Sequence, residues 1–376
     1  MKIVFICGSL EPGRDGVGDY TRRLAAELIR QGHQVAALAL NDSIKTEFSG
    51  VQAAENEQLP VLRIPAFYKD ATRYELAQKW VDSIDPEWLS LQYVAFAFQP
   101  KGLPWSLSGS LARLGRGRQW HIMFHELWVG VFIDAPMKHL VWGWVQRQLI
   151  RSMVKTLQPA IIHTQTRLYQ LLLDRLGFKA DYLPLFANIP VTSKHKKPVP
   201  AAETDSSKKT ISVIVFGTIH PDTAIAKFAK EASDLTKSTA TQFSLTAVGR
   251  CGANLEPFVK VWQDEGLPVN IVGEQSAEQV SEVLRNGTIG LSTTSLVVTE
   301  KSGTVAAMIE HGLPVLCIAR AWQPRGIPAV ELPPGVVEYQ QGILARYLAT
   351  VESPPFTSTV PEIAHVMALA LSTAAK

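Results

Sequence analysis

Short apolar segments of strand character alternate with amphipathic helical segments along nearly the whole chain. The alternation stops once, at the polar stretch 188–210, and then starts again. This pattern constrains the fold more than any other feature. A strand covered on both faces of a parallel sheet reads as a continuous apolar run, and each parallel neighbour needs a crossover, usually a helix. Residues 2–7 (KIVFIC) are such a run. The loop GSLEPGRDGVGD follows, and a helix is expected over 20–31, with Leu24, Ala25, Leu28 and Ile29 on one stripe and Gly32 at its end. HQVAALAL is the next strand. Further strands are expected at 60–64, 88–92, 121–125, 160–164 and 181–185, and helices at 71–83 and 137–157.

After the polar stretch, ISVIVFG reopens the pattern. Strands are expected at 243–248, 269–272, 288–292 and 314–318, with helices at 223–235, 255–265, 276–285 and 303–311. VPEIAHVMALALSTAA reads as a closing helix. The reading is an α/β chain of two Rossmann-like, doubly wound parallel-sheet domains. The first covers 1–190, a linker covers 191–210, the second domain covers 211–355, and a C-terminal helix at 356–376 crosses back to the first.

Composition narrows the function classes. Of 376 residues, 46% are hydrophobic and 19% charged, which suits sizeable cores and excludes disorder. The net charge of +3, with Lys and Arg dispersed, argues against nucleic acid as a partner. The three cysteines, Cys7, Cys251 and Cys317, are widely spaced and fit neither a disulfide framework nor a metal motif, so a reducing cytoplasm is expected. MKIVFICGSL reads as a buried strand rather than a signal peptide, and no apolar run is long enough for a membrane span.

Five places carry candidate chemistry. In EPGRDGVGDYTRR, Gly16 and Gly18 let backbone approach a ligand at a helix N-terminus, although the spacing is not GxGxxG and a plain strand-to-helix turn reads as well. In WHIMFHELW, a strand ends at His125 and Glu126, where parallel sheets present side chains to a crevice. In TTSLVVTEKSGTVAAMIEHGLPVL, the N–H groups of Ser302, Gly303 and Thr304 open a helix. They would cradle a diphosphate, with Glu300 as acceptor and Lys301 as cation. In VFGTIHPD, Gly217 allows close backbone approach, and Thr218 and His220 follow it. In LSLQYVAFAF, Tyr93 is read either as a sugar-stacking ring or as core. Trp128, Phe132, Trp142 and Trp144 with Lys138 and Arg147 read as core or as an interfacial patch for peripheral membrane contact. G-x-S-x-G, H-E-x-x-H, a Walker loop, paired C-x-x-C, kinase signatures and a D-x-D metal motif are all absent from the sequence.

Taken together, DGVGDYTRRLAAELIRQGHQV, FHEL, VIVFGT and EKSGTVAAMIEHGLPVL resemble, in order and spacing over residues 1 to about 320, the GT-B glycosyltransferases. The resemblance is closest to the retaining group called family 4. It implies two domains facing each other across a cleft. A nucleotide diphosphate-sugar donor, a substrate rather than a cofactor, would bind the second domain through Gly217, Thr218, His220, Gly273, Glu274, Lys301, Ser302, Gly303 and Thr304. Gly273 and Glu274 would lie near the base. A glycan, lipid-linked or small-molecule acceptor would bind the first domain at Gly16, Gly18 and Tyr93. His125, Glu126, Glu300 and Lys301 would act at the reacting centre. A retaining outcome without metal is implied, in carbohydrate biosynthesis in the cytoplasm or at the inner face of the membrane. The chain departs from the family pattern in two places. The second of the family's paired glutamates falls on Ala307, and the Arg after the first strand of the second domain is Thr218. Two other readings follow: a non-catalytic sugar-nucleotide or glycan-binding protein, and a sugar-nucleotide epimerase of the same architecture.

Overall fold

The computed structural model describes residues 1–191, 209–327 and 331–374. The chain divides into two compact units. One is Met1–Pro184 with Gln323–Val330 and Val360–Lys376; the other is Leu185–Trp322 with Glu331–Thr359. The expected linker, 191–210, lies outside the described residues from 192 to 208.

In the first unit the elements run β1 (Lys2–Cys7), α1 (Gly16–Arg30), β2 (Gln34–Asp42), β3 (Phe48–Ala54), β4 (Glu57–Pro65), α2 (Asp70–Ile84) and β5 (Trp88–Tyr93). They continue with α3 (Ala95–Phe98), α4 (Leu107–Leu114), β6 (Gln119–Phe124), α5 (Met137–Leu157), β7 (Ile161–Thr164), α6 (Arg167–Asp174) and β8 (Asp181–Tyr182). The sheet order is β3-β4-β2-β1-β5-β6-β7-β8. Every pairing is parallel except β3 with β4. The chain order reverses direction between β1 and β5, the switch point at which doubly wound sheets bind ligands beyond their strand C-termini.

The antiparallel β3–β4 hairpin was not foreseen from the alternation. β3 is mostly exposed and carries no apolar run, so it gives no periodic signal. Its two-residue turn puts Glu55 at φ 53°, and the Glu55 carboxylate is held by the guanidiniums of Arg23 at 2.7 Å and Arg30 at 2.6 Å on α1.

The second unit runs β9 (Lys209–Phe216), α7 (Ile225–Ser238), β10 (Thr241–Val248), α8 (Leu255–Asp264), β11 (Val269–Gly273), α9 (Ala277–Arg285) and β12 (Ile289–Ser292). A 3₁₀ segment (Leu296–Lys301), α10 (Gly303–Glu310), β13 (Val315–Cys317), β14 (Val336–Glu338) and α11 (Leu344–Thr350) follow. Its sheet is parallel throughout in the order β11-β10-β9-β12-β13-β14, with the switch point between β9 and β12. Side chains alternate across β9. Val213 and Val215 pack with Phe228 and Trp262 on one face, while Ile214 packs with Val305 and Met308 on the other. Each fully buried large side chain contributes roughly 1.5–3 kcal/mol.

The last helix, α12 (Val360–Ala374), belongs to the first unit. Ile363, Ala364, Met367 and Leu371 are buried, α12 packs on α1, and the Gln31 amide donates to the Pro361 carbonyl at 2.9 Å. Residues 323–327 also join the first unit, where the sequence reading placed them in the second. Pro324 bridges Phe132, the Ile133 amide donates to the Gln323 carbonyl at 3.0 Å, and the Arg325 amide donates to the Val131 carbonyl at 2.8 Å. Among the described residues, no helix is long and apolar enough to cross a membrane.

Candidate functional site

The three strands on one side of the second unit's switch point close on glycines. Gly217, Gly249 and Gly273 end β9, β10 and β11 at φ 72°, 84° and 71°. The Gly217 amide donates to the Val248 carbonyl at 3.0 Å, and the Gly249 amide donates to the Gly273 carbonyl at 2.7 Å, so these turns are tied side by side. Positive φ without a Cβ lets the backbone bend sharply there and leaves its edge open. At Gly217 the need is steric as well, since a Cβ would lie 2.7 Å from the Thr304 methyl at the start of α10.

The loop after β9 is stitched across the switch point to β12. Thr293 Oγ1 accepts from the His220 amide at 3.0 Å and donates to the Thr218 carbonyl at 3.3 Å. The Thr218 and His220 side chains are exposed. Ser302 caps α10, its Oγ accepting from the Val305 amide at 3.4 Å and lying 3.0 Å from Thr304 Oγ1 and 3.3 Å from Thr294 Oγ1. The structure therefore brings together Gly217, Thr218, His220, Ser302, Gly303 and Thr304, with Lys301 beside them in sequence and half-buried. Glu300, only 8% exposed, is the penultimate residue of the 3₁₀ segment.

One detail is corrected. The Ser302 amide is already used, donating to the Thr299 carbonyl at 2.9 Å, because the preceding residues form a 3₁₀ turn rather than an open loop. Ala307 is fully buried in the apolar layer behind α10, so that position presents core and not a polar group. Gly273 and Glu274 stand at the edge strand β11, where Glu274 pairs with Arg250 at 3.8 Å. Arg250, Thr293 and Thr294 were missed from the sequence. Their only signal was position, each lying within two residues of the end of a strand.

In the first unit, His125 and Glu126 follow β6, one strand from the switch point. His125 is 5% exposed, and its Nε2 donates to Gln92 Oε1 at 2.9 Å, since a carboxamide oxygen only accepts. The Tyr20 ring meets it edge-on, with centroids 4.9 Å apart. Behind His125 runs a buried polar chain across three strands. Gln92 Nε2 donates to Ser90 Oγ at 2.8 Å, Ser90 Oγ lies 2.7 Å from His121 Nδ1, and His121 Nε2 lies 2.9 Å from His163 Nδ1. Burial pushes the His121 imidazolium well below its usual range, with His163 and His125 adding to the effect. Burial lowers His163 to about 4. Both rings are therefore neutral at neutral pH.

The glycine-rich loop is arranged differently from the expectation. Asp15 caps α1, its carboxylate accepting from the amides of Val17 at 2.8 Å and Gly18 at 3.2 Å. An anion of the chain itself thus occupies the helix terminus beside the exposed Gly16. Gly18 is buried, and a Cβ there would lie 2.5 Å from the Ser9 carbonyl oxygen, so this glycine serves helix–loop packing. Tyr93 is also corrected. It is 1% exposed, stacked on Phe98 and edge-on to Phe124, and is core. Asp42, unremarked in the sequence, ends β2 fully buried. Burial alone would raise its carboxyl, but Arg63 at 2.7 Å, the Leu10 amide and the Ser9 hydroxyl outweigh that and hold it below the usual range. No cluster of three or more His, Cys, Asp or Glu side chains among the described residues is arranged to hold a metal ion.

No protein-family model matches the sequence, and no curated protein sequence matches it. Solved structures do match over the whole length. The apo lipopolysaccharide outer core galactosyltransferase WaaB is 13% identical with a TM-score of 0.53, covering 100% of this chain and 99% of its own. Anabaena HepE, in complex with UDP and glucose, is 16% identical with a TM-score of 0.54, covering 99% and 100%. A UDP-N-acetylglucosamine 2-epimerase described as putative, from Listeria monocytogenes, is 11% identical with a TM-score of 0.56, covering 99% and 96%. The chain has the fold these proteins share, two parallel-sheet α/β units of the GT-B type.

Proposed function

We propose that the protein is a glycosyltransferase that moves a sugar from a nucleotide diphosphate-sugar to a glycan, lipid-linked or small-molecule acceptor, with retention and without a metal. One observation carries the reading. Gly217, the Ser302–Thr304 helix start and Lys301 converge beyond the C-terminal ends of β9 and β12, the switch point of a fold shared with nucleotide-sugar enzymes. The amides of Gly303 and Thr304, with the hydroxyls of Ser302 and Thr304, offer donors to the diphosphate. Lys301 offsets the charge that grows on the diphosphate as the anomeric C–O bond breaks. The base lies against the Gly273–Glu274 turn. The acceptor binds the first unit near Gly16 and the His125–Glu126 strand end. Its oxygen forms the new bond to the anomeric carbon as the bond to the diphosphate breaks, and its proton passes to the departing diphosphate oxygen. His125 and Glu126 orient hydroxyls, and Glu300 accepts from a hydroxyl of the donor sugar.

Thermal unfolding with UDP, GDP, ADP and TDP and their sugars, in wild type and Lys301→Ala, tests the reading. A ligand at about 100 times its Kd adds roughly 2.7 kcal/mol. A shift with one nucleotide that Lys301→Ala removes is expected. No shift with any nucleotide sinks the donor site. Because epimerases share the fold, product analysis after incubation with UDP-N-acetylglucosamine distinguishes them. A 2-epimer released without acceptor favours the epimerase. Binding without turnover favours a non-catalytic receptor.

A further inference from the structure

A pocket of about 570 Å³ lies wholly within the first unit, its lining beginning two residues after Glu126. Trp128, Leu140, Leu172 and Leu176 supply apolar wall, and four arginines line the space, Arg147 and Arg151 half-buried and Arg175 and Arg325 exposed. No carboxylate lines it. The arginine bonds go elsewhere. Arg175 donates to the Arg325 and Gly326 carbonyls at 3.4 and 2.5 Å, and Arg325 donates to the Ile133 carbonyl at 2.8 Å and the Phe132 carbonyl at 3.5 Å. Arg151 reaches the Gln148 carboxamide at 3.4 Å. The Arg147 guanidinium lies over the Trp128 ring, 5.9 Å from its centroid, and its Nε is buried without a hydrogen-bond partner.

Four like charges around one concavity repel one another, most strongly the half-buried Arg147 and Arg151, and a bound anion relieves that repulsion. Local packing nevertheless holds it in place. A Cβ at Gly143 would lie 2.0 Å from the Val129 carbonyl oxygen and one at Gly130 would lie 2.5 Å from the His139 carbonyl oxygen, so α5 sits tightly on the 129–131 segment. Arg147 and Arg151 are one turn apart on α5 and present their forks on one face. Guanidinium forks match phosphoryl oxygens bidentately.

We propose that this pocket binds a phosphoryl or diphosphate group whose attached carbon chain lies along the Trp128–Leu176 wall. The group comes either from a soluble phosphate ester or from a lipid headgroup. The lipid source has a matching surface: Val141 and Trp144, on the same helix, are 63% and 56% exposed.

The test is titration calorimetry with inorganic pyrophosphate at about 150 mM salt, run in the Lys301→Ala background so that the proposed donor site does not contribute. One pyrophosphate per chain is expected, with affinity falling about tenfold or more for each guanidinium removed in Arg147→Ala and Arg151→Ala. Arg151→Lys, which keeps charge but not the fork, recovers part of it. Arg147 packs on Trp128, so the Arg151 variants carry the test if Arg147→Ala does not fold. Flotation with vesicles of phosphatidylcholine alone and with phosphatidylglycerol identifies the source. Capture by the anionic vesicles that Arg151→Ala weakens assigns a lipid headgroup. Pyrophosphate binding without vesicle capture assigns a soluble ester. Binding that survives Arg147→Ala and Arg151→Ala together overturns the proposal, as does absence of both pyrophosphate and vesicle binding. Pyrophosphate binding to wild type that Lys301→Ala abolishes overturns it too, while leaving the transferase reading in place.

Discussion

His125 Nε2 donates to Gln92 Oε1 at 2.9 Å, and Gln92 in turn donates to Ser90. This pair fixes the tautomer of the histidine. With Nε2 carrying the proton, Nδ1 of the neutral ring is the acceptor. Gln92 is 1% exposed and its amide is held from behind, so the carboxamide cannot turn without losing two bonds.

Gln92→Leu is therefore expected to cost about 1–3 kcal/mol, because buried donors and acceptors lose partners. It also frees the His125 tautomer. Nitrogen-15 NMR of the ring checks the second point. Wild type should show protonated Nε2, and the variant a mixture. If transferase activity is found, the variant should lose roughly tenfold or more in kcat through misorientation. An unchanged tautomer in Gln92→Leu contradicts the assigned role.

The histidine pair behind it sets a pH dependence. The folded values of His121 and His163 are depressed below the usual 6.5, so the unfolded chain binds more protons as pH falls. Stability is complete above about 6.5 and is lost between there and about 4, the folded value of His163. For His163 alone the loss is about 3 kcal/mol. Urea unfolding at pH 7.5 and 5 should show it, and His163→Gln should flatten the slope. A slope unchanged by that substitution rules the pair out as its source.

The fold was legible because strands such as KIVFIC and ISVIVF are buried on both faces, which makes them continuous apolar runs. β3 lacked that signature, being an exposed edge strand. The donor-site cluster was legible for a different reason: Gly217 and Ser302–Thr304 stand where strand and helix patterns change. The hydroxyls of Thr293 and Thr294 join it only through β9–β12 pairing, which no local pattern encodes. The polar chain from His125 to His163 draws single residues from three strands, each resembling an isolated polar position in an apolar run. The four pocket arginines lie between 147 and 325 in sequence, and their cluster exists only because 323–326 folds onto the first unit.

Gly217→Ala puts a methyl 2.7 Å from the Thr304 methyl at a backbone with φ 72°. The expected loss is about 1–2 kcal/mol from the backbone alone. Thr304→Ser removes the methyl but keeps the hydroxyl, so the double variant should recover the steric part. A double-mutant cycle by chemical denaturation should show a favourable coupling of about 0.5 kcal/mol or more. Strict additivity would mean that α10 shifts freely away from the turn.

Glu310 ties together two of the four places where the chain passes between units. Its Oε1 accepts from the Ala187 amide at 3.1 Å, just after the chain enters the second unit, and from the Thr359 hydroxyl at 2.5 Å, just before it leaves. Glu310 is 4% exposed, so removing its carboxylate strands the buried Ala187 amide and the half-buried Thr359 hydroxyl together. Glu310→Ala should cost about 2–4 kcal/mol, whereas Glu310→Gln, which keeps an acceptor oxygen, should cost less than half of that. Thr359→Val removes one bond and should cost about 1 kcal/mol in wild type but almost nothing in Glu310→Ala. Hydrogen exchange at the Ala187 amide reports the clamp directly. Protection there should fall in Glu310→Ala more than at β9, since the strand core does not use the carboxylate. Equal loss at both places would mean that Glu310 stabilises the second unit as a whole rather than the chain crossings.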